Sequence, residues 1–188
     1  MGGRHAIAWA LGGLLAIGLS VGEAYCQDAA VLTVSGAIDH TNRPAFDPFR
    51  DAFFGYHGIA FDNAYQFSAA DLAALPQQRL EVTYPVWIEP TVTVEGPRLL
   101  DVLDTVGATG DTVTLTALDG FAVTLDRAHL TGAFVLAVGA DCTPDGCTPL
   151  GLGGRGPVWL VFPPGAYPDY PGEDDDGLAW AVFHIQVD

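Results

Sequence analysis

The chain has 188 residues, 49% of them apolar, and a formal net charge of −16 at pH 7 from 23 acidic and 7 basic residues. The basic residues are all arginines, and lysine is absent. This balance offers no basic face for phosphate, which excludes nucleic acid and anionic membrane surfaces as partners. The length fits one domain with a real core once a leader is removed. No heptad, internal repeat or long low-complexity run interrupts it.

Residues 1–5 are a short positive start, residues 6–21 an apolar stretch rich in Ala, Leu and Gly, and residues 22–27 a polar exit of small residues. This order predicts a secretory signal peptide over residues 1–26 and a single domain over residues 27–188. Cleavage after Cys26 is the first choice, with Ala24 and Cys26 supplying the small residues that the site needs; cleavage after Ala24 is the second. Tyr25 is too bulky for a lipid-modified cysteine at position 26, and the apolar run is short for a membrane span. A periplasmic or secreted protein with no stable span after leader removal is therefore expected.

Export also fixes the redox expectation. Cys142 and Cys147 would be the two cysteines of the mature chain, flanking Thr143-Pro144-Asp145-Gly146. Pro-Asp-Gly is a turn signal that brings the two ends together, so a disulfide is expected in an oxidising compartment. Closing so small a loop stabilises by about 2 kcal/mol on the chain-entropy model. No His or further Cys lies near the pair to complete a metal site, and the spacing is not Cys-x-x-Cys.

Along the mature chain, residues 31–34 predict a first strand. The segment 43–63 reads as a proline-broken loop carrying Phe46, Phe49, Phe53, Phe54, Tyr56 and Phe61, too many rings for a solvated loop, so it is expected to pack on the domain. His40 and His57 lie here among Asp39, Asp47, Asp51 and Asp62, in spacings that match no metal-ligand pattern. Ser68 and Asp71 form a capping-box arrangement opening a short helix that Pro76 ends. Strands are expected over 79–86 and 91–94. A second helix over 98–106 places Leu99, Leu100, Leu103 and Val106 on one face, with Gly107 at its end.

Asp119-Gly120 marks a hairpin between strands at 112–117 and 121–125, followed by a helical turn at 127–130. Asp126 and His129 on that turn read as a surface pair. Residues 134–138 and 158–162 are apolar throughout, which suits strands buried on both faces. The glycines at 153, 154 and 156 permit a tight corner just before the second of these, and Pro163 stops it. Residues 169–176 hold five carboxylates in no EF-hand order and read as a solvated loop. A closing strand over 180–187 puts Trp180, Val182, His184 and Gln186 on one parity. Many short strands with two short helices define an α+β domain. No catalytic set is legible: there is no Ser-His-Asp group, phosphate loop or carboxylate pair.

The ordered set Gly96-Pro97-Arg98-Leu99-Leu100-Asp101-Val102-Leu103, Asp119-Gly120-Phe121-Ala122-Val123-Thr124-Leu125, Phe134-Val135-Leu136-Ala137, Gly154-Arg155-Gly156-Pro157-Val158-Trp159-Leu160-Val161-Phe162-Pro163 and a late Trp180 before Ile185 resembles the molybdopterin-binding oxidoreductase domain of the sulfite oxidase family. The resemblance spans about residues 31–187. It implies that family's mixed α+β fold, with a pterin cofactor held by loops at one end of the sheets. The family ligates molybdenum through a Cys thiolate, which by chain position would fall near Tyr84; no Cys lies between residues 27 and 141. A phenolate is a poor substitute for a thiolate there. With no lysine, a pterin phosphate would draw on Arg79, Arg98, Arg127 or Arg155.

The resemblance thus implies an exported, non-metallated member of the fold acting as a binding or sensory accessory module, its pocket floored by Tyr84, Trp87, Arg155 and Trp159. No bound cofactor is expected, molybdopterin being the one that the resemblance implies, and the partner would be an unidentified small molecule or periplasmic protein. The alternative is an active molybdopterin-dependent oxidoreductase with non-Cys metal ligation. A leader in which Arg4 stands alone argues against it, because cofactors loaded in the cytoplasm travel behind a twin-arginine signal. A third reading is a structural domain whose aromatic segment serves a protein partner.

Overall fold

The computed structural model describes residues 29–83, 91–168 and 177–188. The predicted signal peptide at 1–26, Tyr84, Trp87 and the acidic stretch at 169–176 lie outside the described residues.

Among the described residues, eleven strands and three short helices follow one another as β1 (Ala30–Gly36), α1 (Ala52–Tyr56), β2 (Ala64–Ser68), α2 (Ala69–Ala74), β3 (Gln77–Val82), β4 (Val92–Pro97), α3 (Leu99–Thr105), β5 (Thr112–Ala117), β6 (Ala122–Asp126), a 3-10 turn at Arg127–His129, β7 (Val135–Ala137), β8 (Gly139–Thr143), β9 (Gly146–Pro149), β10 (Trp159–Val161) and β11 (Val182–Val187). A five-stranded sheet runs β2-β1-β11-β5-β6, a four-stranded sheet runs β3-β4-β8-β9, and β7 and β10 form a two-stranded ribbon. The first and last strands lie side by side and parallel, Thr33 opposite His184. The other named pairings are antiparallel.

The local signals act as expected at the helices. Ser68 accepts from the Asp71 amide while the Asp71 carboxylate accepts from the Ser68 amide, a complete capping box. In α3 the buried face is Leu99, Val102 and Leu103, continued by Val106, so Val102 takes the place predicted for Leu100. Gly107 ends the helix at φ +61. The Cys142–Cys147 disulfide is present, closing the β8–β9 hairpin.

The ribbon divides the interior into two cores. Val158, Leu160 and Phe162 point into the larger one, with Leu32, Val34, Leu99, Leu103 and Ile185. Trp159 and Val161 point the other way, packing with Val82, Val94 and Ala137 under the four-stranded sheet. The uniformly apolar 158–162 run is thus a strand with an apolar layer on each face. β4 crosses this ribbon so closely that a Cβ on Gly96 would lie 2.0 Å from the Leu136 carbonyl oxygen.

Three expectations need correction. The 43–63 segment is not all loop: it holds α1, too short to stand alone and fixed by Phe54 against Phe183 at 5.3 Å. Residues 64–68, unassigned as a strand, form β2, the edge that pairs with β1. The closing strand begins at Val182, and a register shift between Val182 and His184 breaks its parity, turning Val182 into the same core as Ile185 and Val187.

Gly96→Ala is expected to lower the urea midpoint by the equivalent of about 1–3 kcal/mol, because its methyl group cannot coexist with the Leu136 carbonyl without moving a strand. A midpoint equal to wild type would refute that close approach.

Candidate functional site

Of the four predicted pocket residues, the described structure brings Arg155 and Trp159 together. The corner before β10 is built by small-residue geometry. Gly153 has φ +89, Leu152 bridges Gly156, and the Gly156–Pro157 peptide bond is cis. A Cβ on Gly156 would lie 2.4 Å from the Leu150 carbonyl oxygen, so only glycine lets the chain fold back here.

A second segment then docks on β10. The Ala181 amide donates to the Arg155 carbonyl at 2.8 Å, Val182 to Val158 at 2.8 Å, and Leu160 to Ala179 at 2.7 Å. These bonds carry Trp180 to Arg155. The guanidinium carbon of Arg155 lies 4.7 Å from the Trp159 ring centroid and 5.1 Å from that of Trp180. Trp159 is buried and Trp180 is 48% exposed. A partly exposed cation held against two indoles is an arrangement for recognising an anionic or flat group, since the rings fix the guanidinium plane and add cation–π attraction.

The other three candidate arginines lie elsewhere, each with its own partner. Arg79 pairs with Glu95 at 2.6 Å and Arg98 with Asp101 at 2.5 Å, while Arg127 donates to the Gly110 carbonyl at 2.5 Å. Three of the histidines and aspartates of the 39–62 segment have partners of their own. His40 bonds the Thr105 carbonyl, Asp51 pairs with Arg43, and Asp47 accepts from the amides of Phe49 and Arg50. Among the described residues no three His, Cys, Asp or Glu side chains come together as a metal site. Asp126 and His129 approach to 4.0 Å with both half-exposed, the surface pair expected.

Sequence reasoning missed one polar cluster. The parallel pairing of β1 and β11 sets Ser35 beside His184, with the hydroxyl 2.8 Å from Nε2, and the Ser35 hydroxyl donates to Gln186 Oε1 at 2.9 Å. Because the Ser35 hydroxyl proton goes to Gln186, the Ser35 oxygen accepts from a protonated His184 Nε2; Nδ1 has no hydrogen-bond partner among the described residues. Ser35 and His184 are both buried, so no substrate reaches the hydroxyl, and the pair is structural. Above it, Arg43 bonds Thr33 and stacks 4.7 Å from the Phe54 ring. Burial, reinforced by the Arg43 charge, pushes the His184 pKa down to about 4. The only sequence signal for this cluster was polar residues at alternate positions of two otherwise apolar strands.

No family model matches the chain, and no curated protein matches it. Among solved structures, the crystal structure of the sulfane dehydrogenase SoxCD from Paracoccus pantotrophus is similar, with a TM-score of 0.54 and 12% sequence identity over 83% of this chain and 37% of that one. The likeness shows a shared fold alone, in keeping with the fold relationship that the ordered motifs imply. This chain spans little more than a third of that chain's length.

His184 gives a pH dependence with a definite sign. Its folded pKa lies below the ordinary 6.5, so the unfolded chain takes up the proton first. The stabilisation is complete above about pH 6.5 and is lost as pH falls toward about 4, up to about 3 kcal/mol in all. Urea titrations across that range should show a shallower fall for His184→Gln than for wild type; parallel curves would contradict a neutral buried imidazole.

Proposed function

We propose that this chain is an exported, sulfite oxidase-like domain that is not metallated and acts as a binding or sensory accessory module. The observation that carries the reading is the donor chemistry. Residues 27–188 contain two cysteines, Cys142 and Cys147, and they are bonded to each other. A disulfide sulfur supplies no thiolate, so the residues present do not fit molybdenum ligation of the kind that the family resemblance implies.

Arg155, flanked by Trp159 and Trp180, is the recognition group of the proposed module. Its ligand would present an anionic group to the guanidinium and an apolar or flat surface to the half-exposed indole. Tyr84 and Trp87 would complete the pocket. The disulfide is compatible with the oxidising compartment that export implies. No helix among the described residues is long and apolar enough to cross a membrane.

The likeness to a sulfane dehydrogenase, an oxidoreductase by name, favours a second reading, in which the chain is an active molybdopterin-dependent enzyme with non-Cys ligation. One experiment separates the two. The protein is purified from the compartment to which it is exported, then assayed for molybdenum and tungsten by mass spectrometry and for pterin by fluorescence after oxidation. The expected result is neither; near-stoichiometric metal and pterin would overturn the module reading and establish the enzyme.

A further inference from the structure

The rings of the 43–63 segment divide into two sets. Phe46, Phe54 and Phe61 turn inward: Phe54 and Phe61 stack edge to face at 5.5 Å, Phe46 and Phe61 at 6.1 Å, and Arg43 lies over Phe54 and Phe61. Phe49 and Tyr56 turn outward, and Phe53 reaches both ways, its ring 5.0 Å from that of buried Phe183 and still partly open to solvent. Phe49 lies in the turn that the Asp51 amide closes on the Asp47 carbonyl just before α1, and Phe53 and Tyr56 stand three residues apart on α1 itself. Phe49 is 91% exposed, Tyr56 84% and Phe53 45%, and α1 has no buried residue.

The patch continues across the sheet edge. His57 lies 4.7 Å from Phe53 and 5.2 Å from Tyr56. A Cβ built on Gly120, in the β5–β6 turn, would lie 3.7 Å from His57 Nδ1, and the next residue, Phe121, is 44% exposed. Rings from two distant segments of chain thus converge on one outward face, whereas isolated exposed rings would carry no meaning.

The charge of the molecule selects the occupant. Asp47 borders the patch beside Phe49, and Asp119 borders it at the β5–β6 turn. Arg43, the cation nearest the inner rings, is turned away and paired with Asp51; Arg50 contributes the one positive charge beside Phe49. With a formal net charge of −16, a second copy of this chain or an anionic bilayer would be repelled, and a cationic surface drawn in.

We infer that Phe49, Phe53, Tyr56 and Phe121 form a docking surface for a cationic protein segment that inserts an apolar side chain between the rings, with Asp47 and Asp119 receiving its basic flanks. This surface is separate in residues and in logic from the Arg155 corner. Aromatic anchors of this kind carry most of the energy of an interface, and the acidic rim steers the encounter.

The test uses the mature full-length protein and a short amphipathic peptide of Lys, Leu and Trp as probe, with the Glu-for-Lys peptide as its control, read by isotope-edited NMR and by fluorescence anisotropy. The cationic peptide should shift amides at 49–57 and 119–121, bind more weakly as salt rises, and lose at least about tenfold in affinity to F49S/Y56S. L152S, which removes an exposed apolar residue elsewhere, should bind as wild type does. F49S/Y56S replaces side chains that already face solvent, and an unchanged melting temperature verifies its fold. Equal affinity in F49S/Y56S, equal binding of the anionic peptide, co-sedimentation with phosphatidylglycerol vesicles that depends on Phe49 and Tyr56, or a homodimer abolished by F49S/Y56S would each overturn the inference.

Discussion

The structure depends on the two-stranded ribbon of β7 and β10 serving two cores at once. Leu136, Val158, Leu160 and Phe162 fill one side, and Ala137, Trp159 and Val161 the other. A wall that is apolar on both faces cannot be moved without opening both cores, and close packing makes the cost steep. The same wall fixes the corner at 150–157, because the backbone bonds from Leu160, Val182 and Ala181 tie the late segment to it. Trp159 therefore has two duties. Its ring belongs to the second core, and it carries the Arg155 guanidinium on that ring.

The electrostatics follow from how few cations the chain has. Arg43 is used under the aromatic cap, Arg79 and Arg98 in ion pairs, and Arg127 on a backbone carbonyl. Such pairing near the surface adds little stability by itself. Arg155 lies against Trp159 and half-exposed Trp180, where two segments distant in sequence meet.

Much of the fold was legible because local chemistry and tertiary structure agreed. Ser68 with Asp71 marked a helix start, Gly107 a helix end, Asp119-Gly120 a hairpin, and the Pro-Asp-Gly turn a disulfide. What was missed is non-local. β2 is an edge strand recognised only by its partner β1, and the shift at Val182–His184 overrides the strand's simple alternation. The Ser35–His184 bond joins residues 149 apart in sequence, set by the parallel pairing of the chain's two ends. At the candidate site, the glycine-rich corner was legible in the sequence, whereas Arg155 and Trp159 were singled out through the family resemblance. Trp180 as the second indole was not, because nothing local tells where a late segment docks. Tyr84 and Trp87 lie outside the described residues.

The fold that resembles an oxidoreductase domain is thus built around a cation–indole corner, with Cys142 and Cys147 bonded to each other. The most direct test of that account is peptide mapping of the protein isolated from its native source, by mass spectrometry after alkylation under denaturing, non-reducing conditions. The account predicts Cys142 and Cys147 recovered as one cross-linked, unalkylated pair. Alkylation at either residue in the native protein would mean that a thiolate is at hand after all, and would contradict the argument against metal ligation.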